Sequence, residues 1–293
     1  MAAAKQSKTT PEVGNLTGSL ARGLGIVNVL LHAPQPLNIT EIAAATQLDQ
    51  SSTLRLVRTL EEHGYIVPII GSKRYAASPQ AIQSLPLMHP VQQLRREAHT
   101  MLTGLAMRLT ETVVLVLYLG AERMAIDISQ CPGSLAPYYS TWLRGPLHAT
   151  GAGKALLLSL SRTRRHELLG PAPYAATTPF TLTERDALDA DLEASAERGF
   201  VVAIDQHRLG LTTVAANIAD WHGAAIGCLV VTGHTRNFEA DRVTRIGQEV
   251  IGATELLLYQ APSLGAVAHF LGHTAISPEV PARWKTGAVR RKQ

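Results

Sequence analysis

Several features are scarce in this 293-residue chain, and each scarcity excludes a class of protein. Cysteine occurs only at Cys131 and Cys228, so neither a disulfide framework nor a thiolate zinc site is expected. The opening residues lack the apolar core of a signal peptide, and the longest apolar stretches, such as 224–231, are too short to cross a bilayer. We therefore expect a soluble, cytoplasmic protein with no membrane partner.

Charge is modest in this chain. Charged residues make up 17% of it and the net charge is +4, against 46% hydrophobic residues. This is the composition of an ordinary globular protein, and the mild positive charge permits contact with nucleic acid without requiring it. Since 293 residues exceed the usual size of a single domain, we expect two domains.

The sequence pattern divides the chain into five regions. Residues 1–14 and 261–293 show no sustained periodicity and are expected to be loose tails. Residues 15–80 and 111–260 form the two domains, and residues 81–110 form a linker helix. The second domain alternates helical segments with strand-like ones joined by hairpin steps. The strand-like segments are 112–119, 123–129, 200–205, 212–218 and 224–232, and the helical ones are 150–160, 183–198 and 241–259. This order predicts an α+β fold in which helices flank an antiparallel sheet.

The first domain has the segment order of a winged helix-turn-helix. Three helical segments precede two strand-like ones, 65–70 and 74–77, which form the hairpin of the wing. Thr40 is the expected N-cap of the second helix, and Ser51 or Ser52 that of the third. An apolar stripe on the first helix is formed by Leu20, Leu24, Val27, Leu30 and Leu31.

The third helix has the side chains of a surface that reads DNA. Hydroxyl groups and free backbone N–H groups near its N-terminus suit phosphate, while Arg donates well to guanine and Gln to adenine. Side chains of the first helix and of the wing are placed to meet backbone phosphates. The candidate DNA-binding residues are Arg22, Gln50, Ser51, Ser52, Thr53, Arg55, Arg58, Lys73 and Arg74.

Two other interpretations of this segment stay open. In one, the serines are only helix caps and the arginines only a solvated face. In the other, the winged helix docks a protein partner instead of double-stranded DNA. Salt-dependent retention of a promoter fragment distinguishes the second interpretation from DNA binding.

Several runs of sequence resemble the IclR-type family of transcriptional regulators. The run LNITEIAAATQLDQSSTLRLVRTLEEHGYI resembles the DNA-binding domain of that family, and the runs PLHATGAGKALL and RGFVVAIDQHRLGLTTVAANI resemble its effector-binding domain, which has a GAF-like fold. The resemblance implies a homodimer or homotetramer on a pseudo-palindromic operator. It also implies a small organic acid effector that changes how the paired DNA-binding domains are held.

The resemblance further implies where the effector binds. Gly151 begins a helix whose N–H groups can approach a carboxylate closely, although the segment is not a P-loop, because His148 stands where the first glycine belongs and Ala155 follows Lys154. Simple packing of this helix on the sheet is the alternative. Carried over by position, the effector-binding residues are Trp142, Gly151, Ala152, Leu211, Thr213, Val230 and Thr232, which should face one cavity.

This chain departs from the family pattern near the expected cavity. The departures are Thr213 for a Cys, Val230 for a Ser, Asn217 for a Pro, Trp142 for a Gly, and Ala203 and Ile204 for acidic residues. They make the cavity less polar and add a flat ring, which favours an aromatic or larger acid over a two- or three-carbon keto acid. In the alternative, Tyr138, Tyr139 and Trp142 are core or subunit-contact residues.

No constellation of residues predicts catalysis, a metal site or a cofactor. His269 and His273 are four residues apart but have no adjacent Glu. The remaining histidines show no triad spacing, and no Ser lies in a G-x-S-x-G elbow. An enzyme that acts on the small ligand is the competing hypothesis, and it requires a nucleophile, base or metal that the sequence does not offer.

Overall fold

A computed structural model of the protein describes residues 18–78, 81, 85, 87–135 and 143–271. Contacts within the chain divide it into two compact units, with the boundary after residue 86. Of the residues singled out in the sequence, Tyr138, Tyr139, Trp142 and His273 lie outside the described ones.

The first unit contains three helices and a small antiparallel sheet among its described residues. In chain order its elements are α1 (Ser19–His32), β1 (Leu37–Asn38), α2 (Ile39–Thr46), α3 (Gln50–Glu62), β2 (Ile66–Pro68) and β3 (Arg74–Ala77). The strands pair in the order β1-β3-β2, so a short extra strand joins the expected hairpin. The predicted winged helix-turn-helix is confirmed.

The caps of α2 and α3 differ from the predicted ones. Asn38, not Thr40, caps α2: its side chain accepts from the Glu41 N–H at 2.9 Å, and the Glu41 carboxylate accepts from the Asn38 N–H at 2.8 Å. Asp49, not a serine, caps α3 by accepting from the Ser52 N–H at 2.8 Å. In both cases the capping side chain satisfies a donor that the first helical turn leaves unpaired.

The inward face of α1 matches the predicted apolar stripe only in part, since Leu30 is buried as predicted but Leu31 is 43% exposed. Leu20 and Leu24 are 77% and 59% exposed, while Gly23 and Ile26 are buried instead. Because α1 has apolar residues on more than one face, periodicity alone favoured the wrong one. The core of this unit is formed by Ile26, Leu30, Ile42, Val57 and Ile66.

The second unit is built on a five-stranded antiparallel sheet with the strand order β5-β4-β8-β7-β6, as the predicted α+β fold requires. No helix among the described residues is long and apolar enough to span a bilayer. In chain order the elements are α4 (Pro90–Leu109), β4 (Thr112–Leu119), β5 (Glu122–Ser129), α5 (Gly151–Leu158), α6 (Arg162–Leu169), α7 (Arg185–Arg198), β6 (Val201–Ile204), β7 (Leu211–Ala219), β8 (Ala225–His234), α8 (Ala240–Gln260) and α9 (Leu264–Phe270).

Strand register decides which side chains share a face of this sheet. Thr213 pairs with Thr232 and Ala215 with Val230, and Val230 also pairs with Val114. Directly paired residues and those two apart point to the same side, so these five share one face. Helices α5 and α7 pack on that face in one hydrophobic cluster, while α4 and α8 contact the sheet without belonging to the cluster.

The helix expected to be a linker lies within the second unit. Leu94, Leu102 and Leu105 of α4 are fully buried, and the helix contacts β4, β5 and α8. An amphipathic helix of 20 residues buries its apolar side where a sheet offers a surface for it. Residues 90–109 are therefore part of the scaffold of the sheet unit.

The expected C-terminal tail is ordered in its first part, where α9 packs against α4. Leu264 and Val267 are buried. Ser263 donates through both its N–H and its hydroxyl to the Glu97 carboxylate of α4, at 3.1 and 2.6 Å. The prediction of a loose tail is thus wrong for residues 264–270, because the three apolar residues Leu264, Val267 and Ala268 of this short segment are buried where it packs against α4.

Candidate functional site

The exposed face of α3 carries two arginines and a serine at helical spacing. Ser51, Arg55 and Arg58 are all exposed, and their separations of four and three residues place them on one side of the helix. Within the part of the chain that the structure describes, neither guanidinium has a hydrogen bond or an ion pair. Gln50 is exposed at the start of the same helix, and its amide donates to Thr40 Oγ1 at 3.2 Å.

The other hydroxyl groups at the start of α3 support the helix. Thr53 is fully buried and donates to the Asp49 carbonyl at 2.9 Å, so the prediction that Thr53 contacts DNA is wrong. Ser51 donates to the Asp49 carboxylate at 2.6 Å, and Ser52 is half-buried beside it. Hydrogen bonds from Ser51 and Ser52 hold the pKa of Asp49 well below its usual value. An ionised cap therefore fixes the helix start.

Of the two basic residues in the wing, Lys73 is exposed and Arg74 is half-buried. The guanidinium of Arg74 donates to the Pro36 carbonyl at 2.6 Å and to both oxygens of Glu41 at 2.9 and 3.2 Å. These bonds join the wing to the first turn of α2, and the phosphate contact of Arg74 stays a prediction. Arg22, the candidate on α1, is half-buried.

In the second unit, the start of α5 lies directly against the sheet. A Cβ added to Gly151 would lie 2.5 Å from Thr213 Oγ1, so only glycine permits this distance. Ala152 is packed in the same cluster as Val230. The structure thus brings Gly151, Ala152, Thr213, Val230 and Thr232 to one place, and Leu211 lies two residues from Thr213 on the same strand face.

Four polar atoms near this helix start are buried and have no hydrogen-bond partner among the described residues: Thr213 Oγ1, Thr232 Oγ1, His207 Nδ1 and Arg123 Nε. Buried polar atoms in proteins nearly always have a partner, in the protein or in a bound molecule. The concentration of such atoms around one helix end is therefore typical of a binding site for a small polar molecule.

Arg123 and His207 belong to this site although no sequence pattern pointed to them. Arg123 on β5 donates to Thr150 Oγ1 at 2.8 Å and to the Gly145 carbonyl. Thr150 in turn caps α5 by accepting from the Gly153 N–H at 3.2 Å. His207 Nε2 would lie 3.2 Å from a Cβ added to Gly145. No local pattern links β5 to residue 207, so only the fold reveals the cluster.

Lys154 supports the site from within the protein. Its fully buried ammonium donates to the Val202 carbonyl at 2.6 Å and to Gln206 Oε1 at 3.1 Å, and it forms an ion pair with Asp191 at 2.6 Å. Burial lowers the pKa of Lys154, and the Asp191 carboxylate opposes this shift. The lysine of the Gly-x-Gly-Lys segment thus joins α5 to β6 and α7.

The loop that carries His207 is held at both ends. Asp205 has a left-handed backbone with φ of 55°, and its carboxylate accepts from the Gly210 N–H at 2.7 Å and from Thr235 Oγ1 at 2.6 Å. Burial lowers the pKa of His207, and the positive charges of Arg208 and Arg123 lower it further. The histidine therefore presents a neutral ring in a cationic environment.

Asn217 replaces the proline expected from the family pattern, and the structure gives the reason. Its side chain accepts from the Tyr118 hydroxyl at 2.8 Å and donates to the Ala155 carbonyl at 2.9 Å, in a buried position. One amide therefore links β4, β7 and α5 beneath the site. Burial raises the pKa of the neighbouring Cys228 thiol to about 12, which makes a thiolate nucleophile unfavourable there.

Comparison with protein families gives two matches that together span both units. Residues 19–68 match the IclR helix-turn-helix domain, and residues 88–257 match the bacterial transcriptional regulator IclR C-terminal domain. The chain is also similar to the acetate operon repressor of Salmonella typhimurium, with 30% identity over 260 residues that cover 86% of this chain and 92% of the repressor.

Two solved structures share the fold. The crystal structure of Thermotoga maritima IclR has a TM-score of 0.72 at 23% identity and covers 83% of this chain and 98% of its own. An IclR homolog from Microbacterium hydrocarbonoxydans, solved in complex with 4-hydroxybenzoate, has a TM-score of 0.66 at 19% identity and covers 83% of this chain and 99% of its own.

Proposed function

The chain belongs to the IclR family of bacterial transcriptional regulators, and from this premise we propose that it controls a catabolic or metabolic operon in response to a small organic acid. Like the repressor to which it is similar, it is a regulator and not an enzyme. The exposed face of α3 binds double-stranded DNA in the cytoplasm. The start of α5, with the sheet face beneath it, binds the effector.

The observation that supports DNA binding most directly is the pair of arginines on α3. Arg55 and Arg58 are exposed and have no partner within the described part of the chain. A helix that presents two free guanidinium groups one turn apart fits the major groove, where a bidentate contact to guanine discriminates by about 1–3 kcal/mol. Lys73 on the wing adds a charge that suits a backbone phosphate.

Binding to the promoter region of the gene tests this proposal. We expect the purified protein to bind a labelled fragment of that region, with an affinity that falls linearly with salt on a double logarithmic scale. In fluorescence anisotropy, Arg55→Ala weakens binding by about 5- to 100-fold, which corresponds to the loss of one base contact. The affinity for an effector stays unchanged, because the effector site belongs to the other unit.

Arg164→Ala is the matched control. Arg164 is an exposed arginine of α6 in the second unit, paired with Glu167 at 2.7 Å, and its removal changes the net charge by the same amount. If both variants lose equal affinity, binding is only electrostatic and α3 does not read the sequence. If the wild type retains no DNA at any salt concentration, the winged helix docks a protein instead.

For the assembly, we propose a homodimer or homotetramer on a pseudo-palindromic operator, since two symmetric half-sites require two symmetric recognition helices. The effector acts by binding one arrangement of the paired DNA-binding domains more tightly than the other. An aromatic acid is the favoured effector class, and 4-hydroxybenzoate is a suitable first probe. Calorimetry with aliphatic and aromatic acids tests this choice, and binding of only the smallest keto acids contradicts it.

A further inference from the structure

Arg123 has an unusual environment for a charged residue. It is 5% exposed and is the only buried arginine among the described residues. Other arginines of the second unit that contact buried acids are paired: Arg162 with Asp189 at 2.9 Å, and Arg242 with Glu111 at 3.1 Å. Arg123 forms no ion pair within the described residues, and it donates instead to a hydroxyl and a carbonyl.

The sequence offers no acidic partner for Arg123 close by. Its chain neighbour Glu122 is exposed, and adjacent strand residues point to opposite faces of the sheet. The segment 136–142 contains neither Asp nor Glu. Removing a guanidinium from water without a counter-ion is unfavourable, and burial accordingly lowers the pKa of Arg123, although the charge of Glu122 opposes this shift. A buried guanidinium without a counter-ion is therefore expected to have a functional role.

The atoms around Arg123 indicate what this role is. Its Nη1 donates to Thr150, the N-cap of α5, so the guanidinium lies at the positive end of a helix. The unpartnered atoms of His207, Thr213 and Thr232 lie around the same helix end, as does the buried Nε of Arg123 itself. Hydroxyl and guanidinium donors around a helix N-terminus fit the oxygens of an anion.

We propose that Arg123 is the counter-ion of the effector, so that the site at the start of α5 selects organic carboxylates over their neutral analogues. The inference rests on the proposed effector-binding function and adds to it a charge requirement and the residue that imposes it. The carboxylate accepts hydrogen bonds from the guanidinium and from the hydroxyl groups of Thr213 and Thr232. The remainder of the ligand lies against the apolar surface of Ala152 and Val230.

Calorimetry with the full-length protein tests the inference. The probes are benzoate, 4-hydroxybenzoate and pyruvate, their primary amides, and inorganic phosphate. We expect the wild type to bind at least one acid about 10-fold or more tightly than its amide, since a charge-assisted bond is about twice as strong as a neutral one. Arg123→Met then weakens binding of that acid about 30-fold, while the affinity for the amide changes less than about threefold.

Two further variants separate charge from packing. Arg123→Lys keeps the charge and should retain acid binding within about 10-fold of the wild type. Arg165→Met is the matched control: Arg165 is a half-buried arginine that donates to the carbonyls of Leu157 and Leu160 at 2.7 and 3.0 Å, near the opposite end of α5. Its removal should leave the affinity for the acid within about twofold.

The outcomes distinguish a failure of the inference from a failure of the proposed effector-binding function. Equal wild-type affinity for an acid and its amide overturns the inference without any variant, as does unchanged acid binding by a folded Arg123→Met. Competition by inorganic phosphate at the concentration of the acid shows a general anion site and also overturns it. If the wild type binds none of the organic probes, the effector-binding function itself fails for these classes, and the inference fails with it.

Discussion

The two units place their polar groups in opposite ways. On α3 the guanidinium groups of Arg55 and Arg58 point into solvent, whereas at α5 the hydroxyls of Thr213 and Thr232 are buried without partners among the described residues. An exposed cationic surface suits a large anion that keeps much of its hydration, such as duplex DNA. A buried cluster suits a molecule small enough to be enclosed. The position of a charge thus indicates the size of its partner.

The largest effect is expected from a comparison of two lysines, one from each unit. Lys154 is fully buried and paired with Asp191, whereas Lys73 is exposed on the wing. Lys154→Met leaves a carboxylate unpaired and two acceptors without their donor. We expect a loss of about 2–3 kcal/mol in the free energy of unfolding, less than the roughly 3–5 kcal/mol for breaking a fully buried pair, because Asp191 keeps 24% of its side-chain surface exposed.

Thermal unfolding followed by circular dichroism measures this difference. Lys154→Met should lower the midpoint by roughly 5–10 °C, and Lys73→Met should leave it unchanged while weakening DNA binding. Equal midpoints for the two variants would show that the buried lysine is dispensable.

The next largest effects on stability are expected from replacing two glycines by alanine, and the two effects have opposite signs. Gly151→Ala places a methyl group 2.5 Å from Thr213 Oγ1 and 2.9 Å from its Cβ, and such overpacking costs about 1–3 kcal/mol. Gly23→Ala in α1 meets no atom within 4 Å and should add about 0.5–1 kcal/mol through helix propensity. Urea titrations measure both changes, and a destabilised Gly23→Ala would contradict the open space seen beside α1.

A smaller effect is expected in the wing, where Arg74 and Lys73 are neighbours with different surroundings. Arg74→Ala removes the bonds to Pro36 and Glu41, and since the ion pair is 38% and 40% exposed, we expect a loss of only about 1 kcal/mol. Lys73→Ala should not change stability. Anisotropy with the promoter fragment should give the reverse order, with Lys73 contributing more directly to binding than Arg74. Equal effects of both variants in both assays would remove the distinction.

The smallest effect concerns pH and the cap of α3. Because the folded protein holds the pKa of Asp49 below the ordinary value of 3.8, its stabilisation is fully present above pH 4 and is lost as the pH falls further, toward the folded pKa. Asp49→Asn keeps a good cap but cannot titrate. The variant should therefore match the wild type at pH 7 and lose less stability between pH 4 and pH 2. Identical acid profiles in thermal unfolding would contradict this role of the carboxylate.

Much of the fold could be predicted because its signals are local. The β4 strand was predicted with its observed bounds, Thr112–Leu119, since a continuous apolar run of eight residues has few alternatives. The bounds of β5, β7, β8, α7 and α8 were within two residues. Helix α9 was missed because seven residues between Pro and Gly give too short a period to recognise.

The site residues that escaped prediction depend on contacts between distant segments. The bonds by which Arg74 joins the wing to α2 were not predicted, because its partner Glu41 lies 33 residues earlier. Thr53 looked exposed because its burial depends on how α3 packs. Arg123 gave no signal at all, since one arginine at the start of a strand is usually solvated. Residue type and spacing predicted the two candidate surfaces, and only the tertiary contacts showed which side chains have partners within the protein.

The attachment of α9 has a practical consequence for anyone who trims this protein. A chain that ended at residue 260, where the last long helix ends, would lack the Ser263 hydroxyl that donates to Glu97. It would also lack Leu264 and Val267 of α9, which packs against α4. The apolar surface of α4 exposed in this way would make the shortened protein prone to self-association. A soluble fragment of the sensing half should therefore extend to residue 271.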